Sequence, residues 1–408
     1  MNPKRRRAHD RLAALPGVRS VRRPIGPGRV GEFDLYYVRC GPRSGPPLVI
    51  VPGGPGAASI ATYRQLRRHA VAAGRDVIMV EHRGVGMSRH DDAGADLPAE
   101  ALTIDAAVDD IAAVLSAEGV DEAVIYGTSY GTYLTAGMGV RHPDRVHAMV
   151  LDSPLLCADD IDAVRRATRA VLWDGTAPRT GQLAATVRDL VADGTLTPWS
   201  AQLAAGLYGL VGPEALQQQL DLLAAGHALL WNAIGYGTRM IFERKTPYRH
   251  EPDLVGHIGY RELNYGPTPD GLPLDPAVAY RESATGDPDF VAEPYDLVAQ
   301  MPAFDWPTVV VCGGRDLTTP PAVARHVAEL IPGARLVELA TAGHSILDMR
   351  ERSALQIIEA VYHGQIDELP SRSEGLDRNI GLPIRLLVGA ITTAGTLESL
   401  LPRRRATA

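Results

Sequence analysis

The chain has 408 residues, of which 45% are hydrophobic and 22% are charged, as in an ordinary globular protein. A formal net charge of −7 is too small, and of the wrong sign, to indicate a nucleic-acid partner. No uncharged stretch is long enough to span a bilayer, and the basic N-terminus lacks the apolar core of a secretory signal. We therefore expect a cytoplasmic protein with no membrane or nucleic-acid partner, and the sequence leaves its oligomeric state open.

The cysteines and the basic clusters indicate neither a metal site nor a binding surface. Cys40, Cys157 and Cys312 form no metal-binding pattern, and an odd, sparse set is typical of a reducing compartment. Arginine clusters occupy residues 5–7 and 403–405, near the two ends, and we interpret both as solvated tails.

Short apolar runs alternate with helical patterns along much of the chain. The runs predicted to be strands are, in chain order, EFDLYYVRCG, PLVIVPGG, DVIMVEHRG, EAVIYG, HAMVLDSP, PTVVVCGGRD and ARLVELA. After the third run, the periodic apolar residues Ile104, Val108, Ile111 and Leu115 indicate one buried face of a helix. Fully apolar strands alternating with helices predict an α/β fold with a mainly parallel sheet and helices on both faces.

The long interval between the fifth and sixth strands has a different pattern. It contains the helical stretches LAATVRDLVADG, SAQLAAGLYGL and EALQQQLDLLAAGHALLWNAIGYG, followed by loops rich in proline and glycine. We predict that residues 1–154 form the first part of a core, residues 155–303 a mainly helical cap, and residues 304–408 the second part of the core with a C-terminal tail.

A serine lies between two glycines where a predicted strand meets a predicted helix. Gly127, Ser129 and Gly131 fit the pattern G-x-S-x-G, in which a sharp turn projects the serine alone over the edge of the sheet. A turn that glycine merely permits would explain the residues without chemistry. The β-branched strand before and the helix after favour a nucleophile instead, because that context is what the motif requires.

A nucleophilic serine needs a base and an acid that orients the base, and this motif predicts the chain order serine, acid, histidine. Asp316 and His344 each follow a late predicted strand, where ligands meet such a sheet. A helix cap at Asp316 and a turn histidine at His344 are the plainer alternatives. Asp152 is the second candidate for the acid, whereas Asp348 follows His344 too closely to orient it.

The stretch PGGPG follows another predicted strand and can bring bare backbone close to a substrate carbonyl. We predict that the N–H groups of Gly54 and Tyr130 form an oxyanion hole. A glycine-rich loop can also hold phosphate, but the chain lacks both nucleotide-binding glycine motifs at this point.

Five motifs then arrive in a recognisable order: PGGPG, EHRGVGMS, GTSYGT, GGRDLTTP and AGH. The chain resembles α/β-hydrolases of the proline iminopeptidase and tripeptidyl-aminopeptidase group over residues 30–154 and 304–365. The resemblance implies an α/β-hydrolase fold with a helical cap insertion, a triad of Ser129, Asp316 and His344, and no metal or organic cofactor. It also implies the release of N-terminal residues from short peptides or aminoacyl amides.

The chain departs from that family at two places. Pro52 stands where the glycine loop usually begins with histidine, so a side chain that braces the loop is lost. The usual Asp-Gln-Arg-Gly becomes the stretch EHRG at residues 81–84.

An aminopeptidase must bind a free ammonium group, and a buried carboxylate is the physical means. In the related iminopeptidases cap glutamates do this, and the candidates here are Glu262 and Glu243, both among aromatic residues. A surface ion pair with Arg261 or Arg244 is the plainer interpretation of each.

Two other functions remain open from the sequence. An esterase, amidase or lactonase could use the same triad on a small-molecule substrate instead of a small peptide. A hydrolase fold without activity, acting as a receptor or scaffold, is the second alternative, and the intact triad argues against it.

Overall fold

The computed structural model describes residues 1–26, 30–242, 244–284 and 289–402, and eight strands form one sheet in that part of the chain. The strands are β1 (Val18–Pro24), β2 (Glu32–Cys40), β3 (Leu48–Val51), β4 (Val77–Val80), β5 (Ala123–Thr128), β6 (Val146–Asp152), β7 (Thr308–Gly313) and β8 (Arg335–Leu339).

The strand order is β1-β2-β4-β3-β5-β6-β7-β8. β2 pairs antiparallel with both β1 and β4, and all pairs from β4 to β8 are parallel. β3, β4, β5 and β7 are buried along their whole length, which explains their continuous apolar sequences. The carboxyl ends of the parallel strands meet at one edge, where the predicted site residues lie.

Helices cover both faces of this sheet, as predicted. In chain order they are α1 (Pro3–Ala13), α2 (Ser59–Thr62), α3 (Arg64–Ala72), α4 (Ile104–Ala117), α5 (Tyr130–Arg141), α6 (Asp160–Leu172), α7 (Gly181–Ala192), α8 (Pro198–Ala224), α9 (Leu229–Phe242), α10 (Pro252–Leu263), α11 (Pro276–Ser283), α12 (Leu297–Gln300), α13 (Pro321–Leu330), α14 (Ile346–Met349), α15 (Glu351–Tyr362), α16 (Ser373–Asp377) and α17 (Leu382–Glu398).

The buried side chains form one cluster on each face of the sheet. The first joins the sheet to α4, α5 and α13, and the second joins it to α3 and α15. Alternate residues of a strand serve the two clusters: Val49 and Val51 belong to the first, and Leu48 and Ile50 to the second.

The chain between β6 and β7 contains α6 to α12. A third hydrophobic cluster lies largely among α6, α7, α8 and α9, so these helices have a core of their own. α8 bends at Gly212, whose φ is 81°, just before Pro213. One turn earlier, a Cβ atom on Gly343 would lie only 2.7 Å from the Gly209 carbonyl oxygen, so α8 packs directly on the loop after β8.

The N-terminal arginines correct one prediction. α1 is a helix with Asn2 as its N-cap, and the Arg5 side chain is only 9% exposed. Its guanidinium donates to the Gly86 carbonyl at 2.7 Å and to Glu251 Oε2 at 2.9 Å, and it lies over the ring of Tyr248. The interpretation of residues 5–7 as a solvated tail is therefore wrong for Arg5, whereas residues 403–405 lie outside the described residues.

The C-terminal apolar stretch forms α17, with Leu382, Leu386 and Leu397 more than half exposed. Within the ranges that the structure describes, no single helix has the length and apolar composition to cross a membrane. One bent pair, Pro370–Asp377 with Leu382–Glu398, meets that test jointly at an angle of 56°.

Candidate active site

Ser129 occupies the turn between β5, which ends at Thr128, and α5, which begins at Tyr130. Its backbone has φ 52° and ψ −126°, a conformation that costs a non-glycine residue about 1–3 kcal/mol. The glycines on either side allow the close packing that the turn requires. A Cβ atom on Gly127 would lie 2.4 Å from the Gly131 carbonyl oxygen, and one on Gly131 would lie 2.2 Å from the Val51 oxygen.

We expect Gly131→Ala to destabilise the protein by at least about 1–3 kcal/mol, because backbone atoms that cannot yield surround the added methyl group. Gly206→Ala, at an exposed position of α8, is the matched control, since no described atom lies within 4 Å of its Cβ position. The control should be neutral or stabilising by about 0.5–1 kcal/mol. Urea unfolding measures both, and equal free energies of unfolding for the two variants would contradict this account of the turn.

Ser129, His344 and Asp316 form one hydrogen-bonded series, although they come from three different loops. The Ser129 hydroxyl lies 2.9 Å from Nε2 of His344, and Nδ1 of His344 lies 2.8 Å from Oδ2 of Asp316. Because a carboxylate only accepts, Nδ1 donates to Asp316 and Nε2 is left to accept from the serine. The arrangement can therefore move a proton from the serine hydroxyl to the imidazole.

The Asp316 carboxylate is only 1% exposed and is held in place by the residues that follow it. Its Oδ1 accepts the backbone N–H groups of Thr318 and Thr319 at 2.8 and 2.9 Å, and its Oδ2 accepts the Thr319 hydroxyl at 3.0 Å. Thr319 is a contact that the sequence analysis missed. An aspartate followed two and three residues later by threonine in RDLTT is the local signal that indicates such a turn.

The charges around His344 favour its protonated form. Burial alone would lower the pKa of His344, but the charge and hydrogen bond of Asp316 oppose that effect, and the charges of Asp152 and Asp348 add to the opposition. The net result is a raised pKa, so the imidazole is well suited to accept a proton.

The glycine loop after β3 lies beside the serine. A Cβ atom on Gly53 would lie 3.1 Å from Cβ of Ser129, so a larger residue would crowd the candidate nucleophile. Gly54 has φ 140°, which favours glycine. Tyr130 begins α5, where first-turn N–H groups have no carbonyl partner within the helix. The two predicted oxyanion donors thus come from neighbouring segments, and their role remains a prediction.

Contacts with other segments hold the start of α2 and the end of the glycine loop. Glu81 is fully buried and its carboxylate accepts the N–H groups of Ser59, Ile60 and Met87 at 2.7, 2.9 and 3.1 Å. The loop also exchanges backbone hydrogen bonds with the residues before α10, because Ala58 donates to Arg249 and Glu251 donates to Gly56.

Of the two predicted ammonium-binding glutamates, Glu243 lies outside the described residues. Glu262 is 9% exposed and lies near the nucleophile turn. The pKa of the Tyr130 phenol is raised first by burial and second by the negative charge of Glu262. Both of its oxygens already have donors. Oε1 pairs with the Arg261 guanidinium, whose Nε lies 3.0 Å away, and Oε2 accepts the Ile104 N–H at 2.9 Å.

Glu293 is a carboxylate that the sequence analysis passed over, since it lies in a stretch interpreted as surface loop. Its Oε1 is buried and has no hydrogen-bond partner among the described residues. Burial, together with the charges of Asp160, Asp159 and Asp296, raises the pKa of Glu293 to about 7. The charge of Glu293 also contributes to the raised pKa of Tyr133, which lies on α5 one turn beyond Ser129.

Comparisons with known proteins agree with this architecture. A family model described as the alpha/beta hydrolase fold matches residues 46–212. The solved structure of proline iminopeptidase from Mycobacterium smegmatis matches with a TM-score of 0.52 at 18% identity, covering 85% of this chain and 99% of that chain. The chain has the α/β-hydrolase fold. The predicted fold class is thereby confirmed.

Among curated relatives, a probable proline iminopeptidase of Leptolyngbya boryana is 33% identical over 117 residues. Those residues are 29% of this chain and 34% of that protein. A 2-hydroxymuconate semialdehyde hydrolase of a Pseudomonas species is 34% identical over 110 residues, 26% of this chain and 36% of that enzyme. The chain thus spans about a third of the length of these relatives. The predicted resemblance to proline iminopeptidases is confirmed.

Proposed function

We propose that this α/β-hydrolase is a serine hydrolase with Ser129 as nucleophile, His344 as general base and Asp316 as the orienting acid. The observation that carries the proposal is the hydrogen-bonded series of these three side chains at a serine whose backbone is held at φ 52°. Backbone strain of this kind persists only where surrounding structure enforces it, and it is concentrated at functional sites.

The proposed reaction has two acyl-transfer steps. His344 takes the Ser129 proton as the serine oxygen attacks the substrate carbonyl, and the N–H groups of Gly54 and Tyr130 stabilise the resulting oxyanion. The imidazolium then gives its proton to the leaving amine, and an acyl-enzyme remains. Water attacks that ester by the same route, which releases the acid and restores the serine.

We propose that the helical segment between β6 and β7 is the cap, corresponding to residues 155–303. α8 supports this role because it lies over the loop that carries His344, with Gly209 against Gly343. We infer that residues of these helices determine what reaches Ser129.

The proposed substrate is a short peptide or aminoacyl amide with a free N-terminus, prolyl or related. The similarity to proline iminopeptidases supports this choice. Glu262 lies near the nucleophile turn but already has two partners, so an ammonium group would have to share its carboxylate. Glu293 has an oxygen without a partner in the described part of the chain and is the second candidate.

A substrate panel tests the aminopeptidase proposal. We expect kcat/KM for prolyl and other aminoacyl coumarin amides to fall by at least roughly 30-fold when the amine is acetylated, because a buried carboxylate then loses its charged partner. Glu262→Gln and Glu293→Gln identify which carboxylate is responsible, since the correct variant loses the preference for the free amine. Equal hydrolysis of free and acetylated substrates would show that the aminopeptidase assignment is wrong.

The second candidate function is an esterase, amidase or lactonase acting on a small molecule. The complete pairing of Glu262 favours it, because a carboxylate with donors on both oxygens is a poor site for a further cation. When simple acyl esters are added to the panel, this function predicts that they turn over faster than any aminoacyl amide.

A further inference from the structure

Asp152 ends β6 and is completely buried beside the candidate active site, yet it is not the partner of the His344 imidazole. Its oxygens instead accept the backbone N–H groups that follow the histidine. Oδ1 accepts the Ile346 N–H at 3.0 Å, and Oδ2 accepts the Leu347 N–H at 2.8 Å. The Tyr126 hydroxyl also donates to Oδ2, at 2.9 Å.

The residues adjoining Asp152 and His344 are held in an unfavourable backbone conformation. Ser153 and Ser345 have φ angles of 56° and 61°, in the left-handed region that non-glycine residues seldom occupy. A hydrogen bond of 3.0 Å joins them directly, from the Ser345 N–H to the Ser153 hydroxyl oxygen. The end of β6 and the residue after it therefore hold the start of α14 through three backbone N–H groups in succession, at residues 345–347.

Asp152 also contacts the other side of the site. Its backbone carbonyl accepts the Ser129 N–H at 2.9 Å. One residue is thus bonded to the backbone of the candidate nucleophile and to the backbone after the candidate base. The separation between Ser129 Oγ and His344 Nε2 depends on the relative position of those two loops.

We propose that Asp152 is a positioning residue for the reaction, because its buried carboxylate holds the start of α14, directly after His344, and so keeps the imidazole against Ser129. The inference rests on the proposed function, since it concerns the same serine and histidine. Asp152 touches neither the imidazole ring nor the serine hydroxyl, and its effect passes through the backbone.

The negative charge of Asp152 affects the pKa of His344, which a side chain that only packs would not do. Three carboxylates raise the pKa of His344 against the effect of burial: Asp316 on its Nδ1 side, Asp152 at the end of β6, and Asp348 in α14. Asp348 is bound by the Ser345 hydroxyl and by Tyr63, and its pKa is itself raised by burial. Removing the Asp152 charge should therefore lower the pKa of His344.

Asp152→Asn is the direct test. The amide keeps the shape but directs an NH₂ group at one of two backbone N–H groups, which must separate from it. We expect kcat for the best substrate to fall roughly 10- to 100-fold with KM within about twofold, as small misplacement of a catalytic group would produce. The acidic limb of the kcat/KM profile should move to lower pH, because a less basic His344 stays neutral to lower pH.

Asp76→Asn is the control. Asp76 is a 5% exposed aspartate whose carboxylate likewise accepts several hydrogen bonds, here from the Arg39 guanidinium at 2.6 to 3.2 Å, but it precedes the amino end of β4, away from the edge that carries the site. It should lose stability while kcat and the pH profile stay those of the wild type. If Asp152→Asn does not fold, Ser153→Ala replaces it, since it removes the acceptor for Ser345 and keeps the carboxylate, and its kcat should fall at least about threefold.

An Asp152→Asn enzyme with unchanged kcat and an unchanged acidic limb would overturn the inference, as would a folded Ser153→Ala enzyme with unchanged kcat where the first variant fails. Ser129→Ala distinguishes failure of the positioning role of Asp152 from failure of the proposed function. If Ser129→Ala is inactive while Asp152→Asn is normal, only the positioning role fails; if Ser129→Ala retains activity, the proposed function itself fails.

Discussion

Replacing Ser129 with alanine is expected to lower kcat by about 10⁶-fold, the scale on which removal of a triad nucleophile acts in serine hydrolases. The attacking oxygen is lost, so no acyl-enzyme can form, and neither His344 nor Asp316 can replace it. Alanine keeps the Cβ atom and therefore the same backbone geometry at φ 52°. The fold should be preserved, and stopped assays at high enzyme concentration, with urea unfolding alongside, measure both consequences.

Ser371→Ala is the matched control for this substitution, because Ser371 is exposed and its hydroxyl donates to the nearby Glu368 carbonyl. It should match the wild type in both assays. Turnover in Ser129→Ala within tenfold of the wild type would contradict the assignment of the nucleophile.

The second large effect is expected for Asp316→Asn, which should lower kcat by about 10⁴-fold. The carboxylate accepts the Nδ1–H of His344, which leaves Nε2 free to take the serine proton. An amide NH₂ turned toward Nδ1 favours the opposite tautomer, in which Nε2 already carries a hydrogen. The measurement is kcat under saturating substrate, with the near-ultraviolet circular dichroism of both proteins compared as a test of packing.

Thr319→Val provides the comparison for the acid. It removes the hydroxyl that donates to Asp316 Oδ2 at 3.0 Å but leaves the carboxylate and both backbone donors to Oδ1. We expect a loss of kcat no larger than about tenfold, the scale of one neutral hydrogen bond. A comparable loss in both variants would mean that the geometry of the loop, and not the tautomer of His344, is what Asp316 provides.

Seven of the eight strands and the three central residues could be predicted because their signals are local, whereas the largely exposed β1 has no continuous apolar run and was missed. Each predicted site residue follows an apolar run, and parallel strands bring their carboxyl ends to one edge, so Ser129, Asp316 and His344 converge once the strand order is formed. The strain at Ser129 has a local signal too, in the glycines on either side. Thr319 could have been found in the same way, from its spacing to Asp316.

The contacts that support the site could not be predicted, because they join residues far apart in the chain. Asp152 and Ile346 are 194 positions apart, and Arg5 and Glu251 are 246 apart. Nothing in the sequence near Asp152 distinguishes an acid that orients a histidine from one that accepts backbone N–H groups. The two aspartates are distinguished by the orientation of the His344 ring, whose Nδ1 faces Asp316 and not Asp152.

The cap residues illustrate a different limit. Glu262 was predicted from its aromatic neighbours, but a sequence pattern does not show that the Ile104 N–H on another helix occupies one of its oxygens. Glu293 lies in a stretch rich in proline, where burial depends on how α11 and α12 pack. For these residues the choice of substrate depends on tertiary contacts.

The measurement that tests the central claim most directly is reaction of the folded wild-type protein with a fluorophosphonate, followed by peptide mapping of the adduct by mass spectrometry. The account predicts one covalent adduct per chain, located on Ser129, that is abolished by prior unfolding and absent from Ser129→Ala. A folded protein that does not react, or an adduct on another residue with Ser129 unmodified, would contradict it.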